Sequence, residues 1–202
     1  QIFLKDEIWY NSDTLLTENA LDMVVDKSSV KGISGQLQLL DEEKATILRY
    51  GSLINDCFDH RLMSVLTNRT SIGVLRDLDY LRNNKFLISF DETTFEIRNT
   101  TIRLGISNII SKLNAVRMHG EIADAIEDST FISEDRKIHL LAQHYEAATD
   151  NKKAFEYLFI AGRSVLQNLA FPEATELLNR AVKILDSGVI KIADEIAADL
   201  LI

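Results

Sequence analysis

Four histidines are the residues of this 202-residue chain best suited to binding a transition metal. They are His60, His119, His139 and His144. His139 and His144 are five positions apart, which puts them on different faces of a helix, whereas a metal-binding pair on one helix face is four apart. Neither a thiolate nor a pair of carboxylates accompanies them. We therefore predict that the chain has no metal site.

Cys57 is the single cysteine, and Asp59 and His60 follow it closely. A nucleophilic cysteine needs a base whose side chain converges on the thiol and a third group that orients that base. The other interpretation is a small buried residue at a turn between two helices, and we favour it. A single cysteine excludes an internal disulfide and suits a reducing compartment, so we expect a cytoplasmic protein.

Carboxylates are plentiful, and they fall at predicted helix ends and on polar faces. The groups considered are Asp41, Glu42, Glu43, Asp124, Glu127 and Asp128. This placement is typical of solvated caps rather than of an acid–base pair. The chain also lacks the G-x-x-x-x-G-K-[ST] motif that cradles nucleotide phosphates. We predict no catalytic and no cofactor-binding residue, and no enzyme activity for this chain.

Composition narrows the function classes further. The net charge of −9 argues against nucleic-acid binding by the chain as a whole, because such proteins need basic surface that displaces phosphate counterions. No apolar run approaches the ~20 residues that span a bilayer. One proline and 8 glycines favour long helices, and we expect a mainly α fold.

Residues 36–128 have the pattern of a winged helix. Three amphipathic helices are predicted here, begun by Asp41, by Asp59, and by Thr70 or Ser71. Segments 85–90 and 94–98 then alternate as two strands of a hairpin. Three helices followed by a β-hairpin are typical of a winged helix. A long helix over residues 100–127 is predicted to follow it.

Within residues 138–185, small and large side chains occur in pairs at helical spacings. The predicted repeat core is Ala142, Tyr145, Ala154, Leu158, Ala161, Ala174, Leu178 and Ala181. Helices that begin near Ser133 and Phe171 lie roughly 34–38 residues apart, close to the tetratricopeptide period. One such helix pair cannot bury its own apolar face, so pairs stack. Two assignments remain for the neighbouring aromatic residues, which could belong to the repeat core or line a peptide-binding groove. They are Phe155, Tyr157, Phe159 and Phe171.

The two ends of the chain are harder to interpret. Residues 1–10 alternate loosely and could form a strand pair, and residues 13–25 resemble a weak helix. Gly188 is predicted to end the last repeat helix, and a further helix is expected to begin near Val189. The apolar run 196–202 leads us to expect that the repeat array continues and that the chain is part of a larger protein.

Several blocks, taken in order, resemble the region that follows the ATPase core in STAND-type signal-transduction ATPases. This family includes soluble adenylyl cyclase-like proteins and large regulators of the LuxR/MalT kind. The segments 40–59, 75–88 and 95–127 resemble its winged-helix region, and 141–162 resembles its first helical repeat. His119, Ala125 and Ile126 match the residues that close the family's long helix.

The resemblance implies three regions. Residues 1–35 would be the tail of the preceding ATPase or lid region, 36–128 a winged-helix domain with its linking helix, and 129–202 the start of a tetratricopeptide-like array. The implied function is a non-catalytic regulatory segment that couples nucleotide state to a protein partner or to an output domain such as a cyclase. ATP and magnesium are expected for the parent protein, and the upstream ATPase domain is the expected partner within the chain.

The alternative is a DNA-binding fragment of a transcriptional regulator, because a winged helix often inserts its third helix into the major groove. That helix, predicted over 71–84, carries Arg76 and Arg82 against Asp77 and Asp79. Its charges cancel, so we prefer a winged helix that packs on protein and expect no nucleic-acid partner.

Because no phosphate-binding loop is present, we predict that ATP does not stabilise this chain. A thermal-shift measurement with and without magnesium and ATP checks this. A clear rise in melting temperature would contradict it.

Overall fold

The protein is mainly α-helical. The computed structural model describes residues 2–5, 8–11, 35, 37, 39–167 and 169–187. The strands are β1 (Ile2–Lys5), β2 (Ile8–Asn11), β3 (Phe58–Asp59), β4 (Leu87–Ser89) and β5 (Thr94–Ile97). The helices are α1 (Glu42–Ile54), α2 (His60–Thr67), α3 (Ser71–Asn83), α4 (Thr100–Ser107), α5 (Lys112–Glu127), α6 (Glu134–Ala147), α7 (Asn151–Gln167) and α8 (Phe171–Asp186).

Side-chain caps begin the first three helices. Asp41 accepts the backbone N–H of Lys44 at 2.9 Å, and Asp59 accepts that of Arg61 at 2.7 Å. Thr70, rather than Ser71, is the cap of α3. These oxygens bond N–H groups that have no partner within the helix, which is why short polar residues mark the starts of helices in the sequence.

In the described ranges, five strands form two antiparallel sheets. β1 pairs with β2 in the part of the chain where a strand pair was expected. β4 and β5 form the predicted hairpin, and the Asp91 carboxylate accepts the N–H groups of Thr93 and Thr94 in its turn, each at 2.7 Å. β3 joins the other edge of β5, giving the order β3-β5-β4. The sequence does not predict β3, because two residues show no periodicity.

The predicted long helix over 100–127 is wrong: the chain forms α4 and α5 with a break at 108–111. The N–H groups of Ile109 and Ile110 bond carbonyls three residues back, at 3.1 Å each, which tightens the chain into a turn. Ser111 then caps α5 by accepting the N–H of Asn114 at 3.3 Å. Apolar residues continue at helical spacing across this break, so periodicity alone does not detect it.

The core is continuous from α1 to α7. Its largest fully buried side chains include Phe58, Phe95, Ile47, Leu78 and Ile122. The same cluster extends from the N-terminal unit (α1–α5 with β3–β5) into α6 and α7. A second cluster joins α6, α7 and α8. We call these three helices the helical repeats. α5 contacts α1, α2 and α6, so it connects the two units.

Two sequence predictions lie outside the described residues, namely the helix at 13–25 and the helix that begins after Gly188. Within the described part of the chain, no helix has the length and apolarity needed to cross a membrane.

Gly51 allows α1 to approach the sheet, and its replacement tests this packing. A Cβ at Gly51 would lie 2.8 Å from Cε1 of the buried Phe58 ring. We expect Gly51→Ala to lower the free energy of unfolding by about 1–3 kcal/mol through overpacking. Denaturant unfolding followed by circular dichroism measures it.

Gly120→Ala in α5 is the matched control, since a Cβ there meets only the Ala148 methyl at 3.9 Å. It should stabilise the protein by about 0.5–1 kcal/mol, the helix preference of alanine over glycine. Equal effects of the two substitutions would contradict the packing described.

Candidate functional site at the junction of α5, α6 and α7

The predicted repeat-core residues lie on α6, α7 and α8, and they are inward-facing with one exception. Seven are at most 2% exposed: Ala142, Tyr145, Ala154, Leu158, Ala161, Ala174 and Ala181. Leu178 is only partly buried, and its neighbour Leu177 faces the core instead. Leu178 lies over Gly162, where an added Cβ would be 2.7 Å from its Cδ2 atom. Small residues on α7 therefore permit the close contact with α8.

The aromatic residues that the sequence did not assign to core or groove differ in their burial. Phe155 is buried, and its ring stacks on that of Phe159 with centroids 6.1 Å apart. Tyr157 is half-buried, and Phe171 is 58% exposed at the start of α8. Most of them belong to the helix interfaces rather than to one open groove.

A polar cluster connects the end of α5 to α6 and α7. Glu127, the last residue of α5, accepts the hydroxyl protons of Tyr145 and Tyr157, each at 2.7 Å. The Lys153 ammonium donates to the same carboxylate at 2.6 Å. We call these four residues the Glu127 junction. Each of its three donors comes from one of the two helices that follow α5, so one carboxylate joins three helices.

The rings of the junction also pack on each other. The Tyr145 and Tyr157 rings are stacked with centroids 5.7 Å apart, and the Lys153 ammonium lies 4.5 Å from the centre of the Tyr145 ring. Stacking and a cation over the ring face add attraction beyond the hydrogen bonds. The arrangement is therefore held by both polar and apolar contacts.

The donors determine the charge state of this cluster. Burial alone would raise the pKa of Glu127, but the hydrogen bonds from Lys153, Tyr145 and Tyr157 outweigh it and lower the pKa to about 2. Burial and the bond to Glu127 raise the pKa of the Tyr145 hydroxyl. The bond to Glu127 also raises the pKa of Lys153. At neutral pH the cluster thus holds a stable carboxylate and ammonium with neutral phenols, which is a structural arrangement rather than an acid–base one.

The prediction that Glu127 is a solvated cap is wrong. Its partners come from residues 18 to 30 positions further along the chain, and no local spacing in the sequence indicates such a contact. The acidic residues Asp41 and Asp59, in contrast, are true caps.

Two of the four histidines meet, and they are not the pair compared in the sequence. Nδ1 of His119 on α5 lies 2.8 Å from Nδ1 of His144 on α6. His139 is exposed, and His60 lies beside Asp59 with its Nδ1 3.2 Å from the carboxylate. In the described residues, no group of three or more histidine, cysteine, aspartate or glutamate side chains is arranged to hold a metal.

Cys57 is half-buried in the short segment between α1 and β3. Burial raises the pKa of its thiol, and the Arg136 side chain lies beside it, with Nη2 3.1 Å from Sγ. Arg136 also bonds the Asp56 carboxylate at 2.9 Å. A thiol with a raised pKa is a poor nucleophile at neutral pH, and the role of Cys57 here is to line the contact with α6.

A groove of about 290 Å³ runs between α6 and α8. Its floor is Ala142 and Leu177, and Glu173 and Glu176 stand exposed on the α8 side. Arg180, also at the groove, pairs with Glu146. Among the described residues that line it, the groove therefore presents two acidic side chains, and its one arginine is already paired.

Comparison with known proteins found no matching protein family, no matching curated protein and no matching solved structure. The contacts and charges of the described residues are therefore the basis for a functional proposal.

The Glu127 junction is tested by Glu127→Gln and Tyr157→Phe. Each should lower the free energy of unfolding at pH 7 by about 1–2 kcal/mol, because each leaves hydrogen-bonding groups without their partner in a partly exposed site. The exposed neighbour Asp128 supplies the control, and Asp128→Asn should change it by less than about 0.5 kcal/mol.

The same variants have a defined pH dependence. The pKa of Glu127 is depressed from 4.5 to about 2 on folding, so its contribution is fully present above pH 4.5 and is lost as the pH falls toward 2. The difference between wild type and Glu127→Gln should therefore shrink in acid. Urea unfolding from pH 7 to pH 3 measures it, and a difference that does not change with pH would contradict the assignment.

Proposed function

We propose that this chain is a non-catalytic coupling segment of a multidomain signal-transduction ATPase. Its N-terminal unit packs against an upstream ATPase domain, and its helical repeats bind a protein partner or restrain an output domain such as a cyclase. The observation that carries the proposal is the Glu127 junction, because it connects the two units through one helix. A movement of the N-terminal unit is thereby passed to the repeats.

The topology of the N-terminal unit supports the winged-helix part of the proposal. The elements run α1, β3, α2, α3, β4, β5, and the three strands form one antiparallel sheet. Three helices with a small antiparallel sheet whose last two strands form a hairpin are the arrangement expected of a winged helix. The strand that the sequence missed, β3, completes this pattern.

The helical repeats support the tetratricopeptide-like part. α6, α7 and α8 follow one another through short turns, and each packs on the next. α6 begins at Glu134 and α8 at Phe171, close to the repeat length of about 34 residues. Buried alanines and Gly162 occupy the contacts between them, which is what closely stacked helices require.

The groove between α6 and α8 is the surface we propose for the partner. Glu173 and Glu176 favour a partner segment that is basic and extended, since opposite charges increase both the rate of association and its specificity. The buried Ala142 and Leu177 at its floor leave room for one apolar side chain of the partner.

The charges around α3 weigh against the alternative of DNA binding. The buried carboxylate of Asp77 lies 2.7 Å from Arg69, 3.4 Å from Lys44 and 3.9 Å from Arg76. Arg82 pairs with Asp79 at 3.0 Å. The two acidic residues of α3 thus balance its two arginines, although the Arg76 side chain is 77% exposed. Phosphate binding needs an excess of cations that face solvent.

The proposal is tested in the full-length parent protein. We expect a G-x-x-x-x-G-K-[ST] motif upstream of Gln1. We also expect Tyr157→Phe to weaken the effect of nucleotide on the output activity by several-fold without changing the basal rate of ATP hydrolysis by the parent protein. Asp128→Asn, at an exposed residue outside the groove, is the control for folding.

Either of two results would overturn it. One is a parent that has no phosphate-binding domain before Gln1. The other is a deletion of this segment that leaves both activity and regulation of the parent unchanged. Salt-dependent binding of the segment to duplex DNA, measured by fluorescence anisotropy, would favour the regulator of transcription instead.

A further inference from the structure

The contact between His119 and His144 crosses the interface of α5 and α6. The two Nδ1 atoms are 2.8 Å apart, and the ring centroids are 5.1 Å apart with an angle of 35° between the planes. At this distance one nitrogen carries a proton and donates it to the other. Because burial lowers the pKa of both rings, both are neutral in the closed contact at neutral pH.

Burial makes the contact sensitive to added protons. His144 is fully buried, and its Nε2 atom has no hydrogen-bond partner among the described residues. A buried acceptor without a partner costs less than a buried N–H without one, so Nε2 of His144 is the unprotonated nitrogen. It follows that His144 donates from Nδ1 and that Nδ1 of His119 accepts.

Every added proton disturbs this arrangement. A proton from solvent that binds Nδ1 of His119 removes the acceptor. The hydrogen bond then re-forms only if the proton of His144 moves to Nε2, where a buried N–H has no acceptor among the described residues. A proton that binds Nε2 of His144 creates a buried charged N–H without an acceptor. In both cases the charge is placed at the interface between the N-terminal unit and the repeats.

No carboxylate compensates such a charge. Among the described residues, none of the aspartate or glutamate oxygens lies within 4.0 Å of a nitrogen of either ring. Several charged groups on the surrounding elements have partners of their own: Glu121 of α5 with Tyr50 of α1 and with Arg117, Asp59 with Arg61 of α2, Glu146 of α6 with Arg180 of α8, and Lys153 of α7 with Glu127.

We propose that the contact of His119 with His144 is an acid-sensitive connection between α5 and α6, which holds the helical repeats against the N-terminal unit at neutral pH and weakens in mild acid. The proposal stands on this contact and does not depend on which partner the repeats bind. It adds a way in which proton concentration alters the interface through which the two units are coupled.

The direction of the pH effect follows from the lowered pKa values of the two histidines. Burial, and secondarily the neighbouring His119, lower the pKa of His144 from 6.5 to about 3, and burial also lowers the pKa of His119. The open form binds more protons than the closed form below pH 6.5. The contribution of the pair is therefore fully present above pH 6.5 and is lost as the pH falls from 6.5 toward 3.

The experiment compares hydrogen exchange of the α5 and α6 amides at pH 7.5 and pH 5.5, corrected for intrinsic exchange rates. For the wild-type chain we expect the opening equilibrium constant to rise more than tenfold, with about tenfold from His144 and a further factor from His119. In His119→Asn, whose amide occupies the position of Nδ1 without titrating, the factor from His119 should be lost and only about tenfold should remain. His139→Asn, an exposed histidine on the same helix, is the control and should keep the full rise.

An equal pH effect in wild type, His119→Asn and His139→Asn would overturn the proposal. A direct titration of the wild-type histidines tests the proposal even if the His119→Asn variant does not fold. Nuclear magnetic resonance of the wild-type histidine rings should find two groups that remain neutral well below pH 6.5, and ordinary titration of all four histidines would overturn it. Stabilisation by added Zn²⁺ that is lost in His119→Asn would also overturn it, because the pair would then be a metal site.

Discussion

The carboxylate of Glu127 is the group on which the connection between the two halves of this protein depends. It lies at the end of α5 and accepts hydrogen bonds from Tyr145, Tyr157 and Lys153 on the next two helices. A partly buried charge is tolerated only where donors replace the water it has lost. Here three donors do so, and each can reach Glu127 only when α6 and α7 are packed in their observed positions. The polar contact therefore specifies the arrangement of the apolar ones.

The N-terminal unit positions α5 for this contact. The aromatic pair Phe58 and Phe95 lies directly opposite across β3 and β5, and Gly51 lets α1 approach the Phe58 ring. α5 then packs on α1 and α2 with Met118, Ile122 and related side chains. The break between α4 and α5 also positions α5. A continuous helix would not turn at 108–111, and α5 would then not contact both units.

The α5–α6 interface contains polar contacts of two opposite kinds. The Glu127 junction pairs a negative charge with a positive one, so it is intact over most of the pH range. The contact of His119 with His144 is neutral and has no counter-charge in the described part of the chain, so it is affected first as the pH falls. An interface with one compensated and one uncompensated contact combines stability with a response to protons.

The sequence by itself determined the helical character, the first three helix starts and the β4–β5 hairpin, because caps, turns and apolar periodicity are local properties of the chain. It also indicated the small residues at which α6, α7 and α8 approach one another. Only the tertiary structure decided that Glu127 is a shared acceptor, that His119 meets His144, and that Arg136 lies beside Cys57. These pairs are joined by folding across 18 or more residues, and the identity of each residue says nothing about a partner so distant in the chain.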